Sequence, residues 1–221
     1  ETEARASGVL IVRKAGLGLL MSMRGDYKPV PFIEDAAVPV DHLAAYVAGV
    51  EQIVAENGAR MAIYAHASAG CLHIRPLLNL KSAEGLRRYR AIGEAVSDLV
   101  LSYHGTTSGE HGEGLSRGEF SRKLFGPKLT EAFREVKRAF DPQGLMNPGK
   151  VVDVGPMDDP ATLRYGPDYA TSYAPVAPRF DWSRDAGFAG AVEMCNGAGV
   201  CRKEGSGTMC PSFMATLDER D

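Results

Sequence analysis

The sequence predicts an α+β fold, an antiparallel sheet with helices on one face. Three observations carry this. Segments 41–57, 83–103 and 128–140 repeat apolar residues at helical spacing. Residues 60–64 and 72–77 read as two strands joined by a run of small residues. Strands and helices do not alternate as βαβ units, which disfavours a parallel sheet.

Taken in order, residues 9–23 are apolar but glycine-interrupted, and no element is assigned there. Asp41 suits the N-cap of a helix running to about Asn57. Leu43, Tyr46, Val47, Val50, Ile53 and Val54 give it one apolar face, and Gly58 stands at the C′ position. The two strands flank Ala65-His66-Ala67-Ser68-Ala69-Gly70-Cys71, whose small residues permit a tight turn. Ser82 can cap the next helix, whose buried stripe is Leu86, Tyr89, Ile92, Val96, Leu99 and Val100. Residues 105–118 hold five glycines without periodicity and read as a loop. Pro127 suits the first turn of a helix through Phe140, with Leu129, Phe133, Val136 and Phe140 on one face. Asp141-Pro142 stops it. The three helical stripes are expected to build a shared core.

Residues 1–152 are therefore expected to form one domain. Residues 153–180, rich in proline, read as a linker or a wrap around another surface. Residues 181–221 carry three of the four cysteines, and that clustering favours a metal or cluster over disulfides. With 221 residues, 44% of them apolar, the chain is long enough for one sizeable core with an appendage. A net charge of −3 and a pI near 6 argue against nucleic acid and against a basic membrane surface. No apolar run reaches the roughly 18 residues of a spanning helix, and no secretion signal opens the chain. Cytoplasmic placement is expected, with peripheral membrane attachment left open. The missing initiator Met and the polar end at Asp221 suggest a piece of a longer protein.

The chemistry-bearing residues lie in two segments. His66 and His73 flank the hairpin turn, and Glu110-His111 sits in the glycine-rich loop. Two imidazoles and a carboxylate with an open position suit a catalytic divalent metal. Glu110 and His111 are adjacent, so both can serve one site only if the loop bends there.

Three motifs carry a family resemblance. His66-Ala-Ser-Ala-Gly-Cys-Leu-His73-Ile-Arg-Pro76 resembles the metal-site hairpin of FAD-linked oxidases of the D-lactate dehydrogenase and glycolate oxidase type. Ser108-Gly-Glu-His-Gly-Glu-Gly-Leu115 is similar to that family's second metal-site segment, and Asp141-Pro-Gln-Gly-Leu-Met-Asn-Pro-Gly-Lys150 to its closing motif. The resemblance implies a substrate-side domain that packs on a separate flavin-binding domain preceding it.

It also implies residue roles. His66, His73 and Glu110 would ligate a divalent metal (Zn, Mn or Fe), and His111 would take the proton of the substrate's α-hydroxyl. Asn147 would lie against the FAD ring. Arg13 and Lys28 match positions that bind a substrate carboxylate. Arg75 stands where some relatives place a substrate-contacting Asn, and Ala69 and Cys71 replace the Asp and Asn that many relatives carry between the two histidines. These departures touch the substrate side. The implied reaction is oxidation of a D-2-hydroxy acid (the D-lactate, glycolate or D-2-hydroxyglutarate class) to the 2-oxo acid.

Cys195, Cys201 and Cys210-Pro211 resemble a ferredoxin-type 4Fe-4S motif that lacks its middle cysteine, Ala198 standing there. The fourth ligand, the downstream electron acceptor and the flavin domain would lie in missing parts of the protein. The chain alone is therefore expected to be colourless and inactive. A metal-dependent hydrolase or lyase without flavin, and a non-catalytic electron-transfer or binding module, are the alternative readings.

Overall fold

The computed structural model describes residues 2–171, 177–196 and 199, and the chain divides into two compact units, Glu1–Ser172 and Tyr173–Asp221. The first unit runs α1 (Thr2–Met21), β1 (Lys28–Pro29), β2 (Ala36–Ala37), α2 (Leu43–Glu56), β3 (Arg60–His66), β4 (Cys71–Leu78), α3 (Ala83–Ser102), α4 (Gly114–Arg117) and α5 (Ser121–Phe140).

β4 is the spine of an antiparallel sheet. β3 lies along one edge, with Tyr64 opposite His73 and His66 opposite Cys71. β2 and β1 share the other edge, Ala36 opposite Leu72 and Lys28 opposite Leu78. Alternation along β4 sorts its side chains onto two faces. Leu72, Ile74 and Leu78 join the core with Tyr46, Val50 and Val54 of α2 and Tyr89, Ile92, Val96 and Val100 of α3. Cys71, His73 and Arg75 occupy the other face and are also buried. Both α+β class and antiparallel pairing are as the sequence predicts.

The hairpin turn needs Gly70. Its φ is +68°, and a Cβ there would lie 2.0 Å from the carbonyl oxygen of Val38. That close approach lets Val38 N–H donate to Gly70 O at 3.0 Å, tying the turn to the segment after β2. Ser82 caps α3 as expected, its hydroxyl accepting from Gly85 N–H at 3.0 Å. Asp41 does not cap α2. Pro39 opens a 3-10 turn at Val40–His42, and α2 begins at Leu43 without a side-chain cap. Asp41 sits inside that turn, where its charge still favours the helix N-terminus.

The expected stripe on the third helix is not a core stripe. α5 is kinked at Gly126 (φ 74°), and Leu129, Val136 and Phe140 are exposed. Its N-terminal end docks, through buried Phe120 just before it, through Ser121 and through Lys123, which reaches Asp98 on α3 at 2.7 Å, and Thr130 is buried further along. Another part of α3 is covered by the segment after α5. Met157 is buried against Gly93, and Arg90 of α3 pairs with Glu119 at 2.5 Å and Asp158 at 3.3 Å. Asp141 ends α5 by accepting from the amides of Leu145 and Met146.

The unassigned segment 9–23 is largely helical, as α1. Its apolar residues Val9, Leu10, Ile11 and Val12 are consecutive rather than spaced at 3–4, so no stripe announces it, and all four are exposed. Among the described residues no helix is long and apolar enough to cross a membrane.

In the second unit Asp181 accepts from Ser183 N–H at 2.8 Å before a 3-10 turn at Ser183–Asp185, and α6 (Phe188–Glu193) follows, with Trp182 edge-on to Phe188 at 5.8 Å. Cys195 is exposed just after it. Cys201 and Cys210 lie outside the described residues.

Candidate metal and active site

The hairpin registers His66 and His73 on neighbouring strands, and their rings stand 5.2 Å apart, edge to face. The 108–112 loop supplies the third wall. It bends because Asp35 gathers it. The Asp35 carboxylate is fully buried and accepts from the hydroxyl of Ser108, from Glu110 N–H at 3.1 Å and from His111 N–H at 2.7 Å. Its carbonyl accepts from Gly109 N–H at 2.7 Å. Gly112, at φ +82°, lets the loop leave again. Glu110 and His111 therefore both reach the histidine pair, although they are adjacent in sequence.

The donor geometry is specific. Glu110 Oε1 lies 3.1 Å from His73 Nε2, 3.5 Å from His66 Nε2 and 3.7 Å from His111 Nε2. On the far side of two of these rings stands Glu34. Its Oε1 is 2.8 Å from His111 Nδ1 and its Oε2 is 3.3 Å from His73 Nδ1. A carboxylate accepts hydrogen bonds, so it draws the imidazole proton to Nδ1 in both rings. The Nε2 lone pairs then converge on another carboxylate. Such a set of facing acceptors calls for a cation or protons between them, so the residues present fit a divalent metal.

Donor atoms of Asp35, His73, Glu110 and His111 all lie within 4.8 Å of one another. Asp35 is nevertheless a poor ligand, because the loop amides and the Ser108 hydroxyl already occupy its oxygens. Burial raises its pKa, but the hydrogen bonds from Ser108, His111 and Glu110 outweigh that and hold the carboxyl below its ordinary value. His111 shifts upward, chiefly through its hydrogen bond to Glu34, with burial opposing. Burial, reinforced by the charge of Asp35, pushes the Cys71 thiol up to about 11, so it is a packed thiol rather than a nucleophile at neutral pH.

Of the expected substrate-side cations, two are near. Arg13 Nη2 is 3.4 Å from His66 Nε2 and its guanidinium stands 5.5 Å from the centre of the Tyr64 ring. A metal needs that same Nε2 lone pair, so Arg13 and a metal compete for His66. Arg75 donates to Glu34 Oε2 at 3.4 Å, on the side of His73 away from His66. Lys28 is not brought to the cluster. It pairs with Leu78, five residues along β4 from His73 or about 16 Å at strand spacing, and its ammonium donates to Met23 O at 2.5 Å. Asn147 is exposed in a left-handed turn (φ 48°) after α5.

Sequence reading missed Glu34 and Asp35. The signal was present as two adjacent acids inside the apolar run Phe32-Ile33-Glu34-Asp35-Ala36-Ala37-Val38. Such a run is buried, and buried carboxylates require donors.

The D-2-hydroxyglutarate dehydrogenase of Escherichia coli K12 is 36% identical to this chain over 211 residues, covering 94% of the chain and 20% of that protein. The enzyme of the same name from Pseudomonas putida KT2440 is 35% identical over 214 residues, 96% of this chain and 21% of its own length. The D-lactate dehydrogenase of Archaeoglobus fulgidus is 35% identical over 133 residues, 60% of this chain and 29% of that protein. The chain thus spans about a fifth of the length of the first two relatives. Residues 1–151, which contain the whole histidine–carboxylate cluster, match the family described as FAD linked oxidases, C-terminal domain, and the chain belongs to that family.

Proposed function

We propose that this chain is the substrate-side part of a flavin-dependent dehydrogenase that oxidises a D-2-hydroxy acid to the 2-oxo acid, with D-2-hydroxyglutarate the first substrate to test. The observation that carries the reading is the convergence of three Nε2 atoms on Glu110 Oε1 while Glu34 holds Nδ1 of His73 and His111. The relatives named D-2-hydroxyglutarate dehydrogenase support the choice of substrate.

His66, His73 and Glu110 would hold a divalent metal. A divalent cation, when bound, stabilises the negative charge that develops on the substrate hydroxyl. His111 is the base. With its Nδ1 proton engaged by Glu34, Nε2 is the atom that accepts the hydroxyl proton. Glu34 raises the proton affinity of that ring and so stabilises the imidazolium formed. Arg13 and Arg75 flank the cluster and anchor carboxylate, which orients the α-carbon. Lys28 remains a proposal of the resemblance alone. FAD, when bound, supplies the hydride acceptor. Asn147, exposed on its turn, is accessible for the proposed contact with it. Onward transfer of electrons through a 4Fe-4S module rests on the spacing of Cys195, Cys201 and Cys210.

The test uses the full-length flavoprotein. Anaerobic addition of D-2-hydroxyglutarate should bleach the oxidised flavin band, with D-lactate and the L-isomer as comparisons. Flavin that stays oxidised with every D-2-hydroxy acid tried rules the reading out.

A further inference from the structure

Arg117 has no part in the chemistry just described, yet it is buried in the floor beneath it. It closes α4, and its side chain is 8% exposed. One arm, Nη1, donates to the carbonyl of Glu34 at 3.1 Å, and the other, Nη2, donates to the carbonyl of Gly112 at 2.6 Å. Glu34 is the residue that grips His73 and His111, and Gly112 is the residue after His111. The guanidinium thus spans the two backbone segments that carry the site, one before α2 and one after α3. Its Nε lies 3.9 Å from Glu113, whose half-buried carboxylate accepts from the Thr107 hydroxyl at 2.9 Å.

These contacts have a geometric consequence. The loop from Ser108 to Gly112 contains two glycines and is shaped by hydrogen bonds rather than by a helix or a strand. Asp35 holds its upstream end, and Arg117 holds its downstream end to the same chain segment. Without Arg117 the carbonyls of Glu34 and Gly112 lose their shared donor, and His111 gains freedom to turn away from Glu34. A planar two-armed cation bridges two carbonyls at fixed separation, which a lysine ammonium on a flexible stem does not reproduce.

We infer that Arg117 is a positioning residue, clamping the Glu34 segment to the Glu110–His111 loop so that the Nε2 atoms and Glu110 stay convergent. The inference rests on the metal-and-base reading above and deepens it.

The experiment compares Arg117→Met and Arg117→Lys with the wild-type chain and with Val54→Ala, a core variant on α2 away from the site. Three quantities are read at fixed pH: Zn²⁺ affinity by competition with a chromophoric chelator, the metal-free histidine-ring signals by ¹⁵N NMR, and Tm. Arg117→Met should weaken Zn²⁺ binding about 10- to 100-fold, the usual loss when support behind metal ligands is removed. It should also move the His111 Nδ1 signal away from that of a carboxylate-bonded ring. Arg117→Lys should keep Tm near wild type yet still bind Zn²⁺ more weakly, and it decides the matter if Arg117→Met does not fold. Val54→Ala should lower Tm and leave the other two readouts unchanged. The inference is overturned if both Arg117 variants keep wild-type affinity and ring signals, or if Val54→Ala weakens Zn²⁺ binding as much as they do. Should the wild-type chain bind no Zn²⁺, the metal reading fails by itself, and the His111 ring signal alone judges the clamp.

Discussion

Glu34→Gln is the sharpest perturbation the site offers, because it changes hydrogen-bond polarity at almost constant shape. Glu34 Oε1 faces His111 Nδ1 at 2.8 Å, and Oε2 faces His73 Nδ1 at 3.3 Å and Arg75 Nη2 at 3.4 Å. A glutamine has one oxygen and one NH₂. With the NH₂ toward His73 it would meet two donors, so the favoured orientation keeps oxygen there and turns NH₂ toward His111. His111 Nδ1 must then become the acceptor, and the ring proton moves to Nε2, the atom that the base needs unprotonated. The flavin-reduction rate at saturating D-2-hydroxyglutarate should fall about 10²- to 10⁴-fold, the span of general-base catalysis. That corresponds to about 2.7–5.4 kcal/mol at the barrier. KM should change much less, because the glutamine oxygen kept toward His73 and Arg75 leaves the metal ligand and the carboxylate anchor with their acceptor. Stopped-flow flavin reduction in the full-length protein measures the rate, and ¹⁵N NMR of this chain reads the His111 tautomer. Loss of a charged acceptor also costs folding free energy, about 1–3 kcal/mol, so Tm must be shown to stay above the assay temperature. A Glu34→Gln enzyme with full metal and flavin that reduces within threefold of wild type would refute the tautomer argument.

Three further outcomes are expected. Metal-stripped chain should take up about one Zn²⁺, the complement of one three-ligand site. Glu110→Gln should lose most of that uptake in equilibrium dialysis, and a variant that retains it removes Glu110 from the ligand set. Gly70→Ala should destabilise the fold by at least about 2 kcal/mol in urea, because a left-handed residue gains a Cβ that clashes with Val38 O, and a neutral result would contradict the turn geometry. Asp141, held below its ordinary pKa first by Lys137 and then by the Met146 and Leu145 amides, stabilises the end of α5 above the unfolded carboxyl pKa of about 3.9 and stops doing so as pH falls through the folded value. Asp141→Asn should therefore lower Tm at neutral pH, with the gap to wild type closing under acid; a pH-independent gap would point to another cause.

How far the sequence foretells all this depends on the range over which each residue finds its partner. α2 and α3 were legible because their stripes are local and their burial follows: Tyr46, Val50 and Val54 on one helix, Tyr89, Ile92, Val96 and Val100 on the other are all core. The hairpin was legible because the small residues between His66 and His73 permit a turn of one register. α5 carries an equally good stripe, yet Leu129, Val136 and Phe140 are exposed, since periodicity shows that a face is apolar and not that this unit covers it.

Glu34 and Asp35 mark the other limit. Glu34 meets His73 and His111 across 39 and 77 residues, and Asp35 meets the loop amides across 75 and 76. No local pattern encodes such pairings. Burial nevertheless constrains them. Phe32, Ile33, Ala36 and Val38 are all in the core, so the two acids between them cannot both escape to solvent, and each must find donors inside. The glycine-rich loop is rich in amides without helix or strand partners and carries an imidazole as well. An acid pair embedded in an apolar run, together with such a loop later in the chain, is therefore a reason to suspect from sequence alone that the two meet. The same reasoning explains the division of labour between neighbours: Asp35, surrounded by backbone donors, shapes the loop, while Glu34, surrounded by side-chain donors, sets the proton positions on which the proposed chemistry depends.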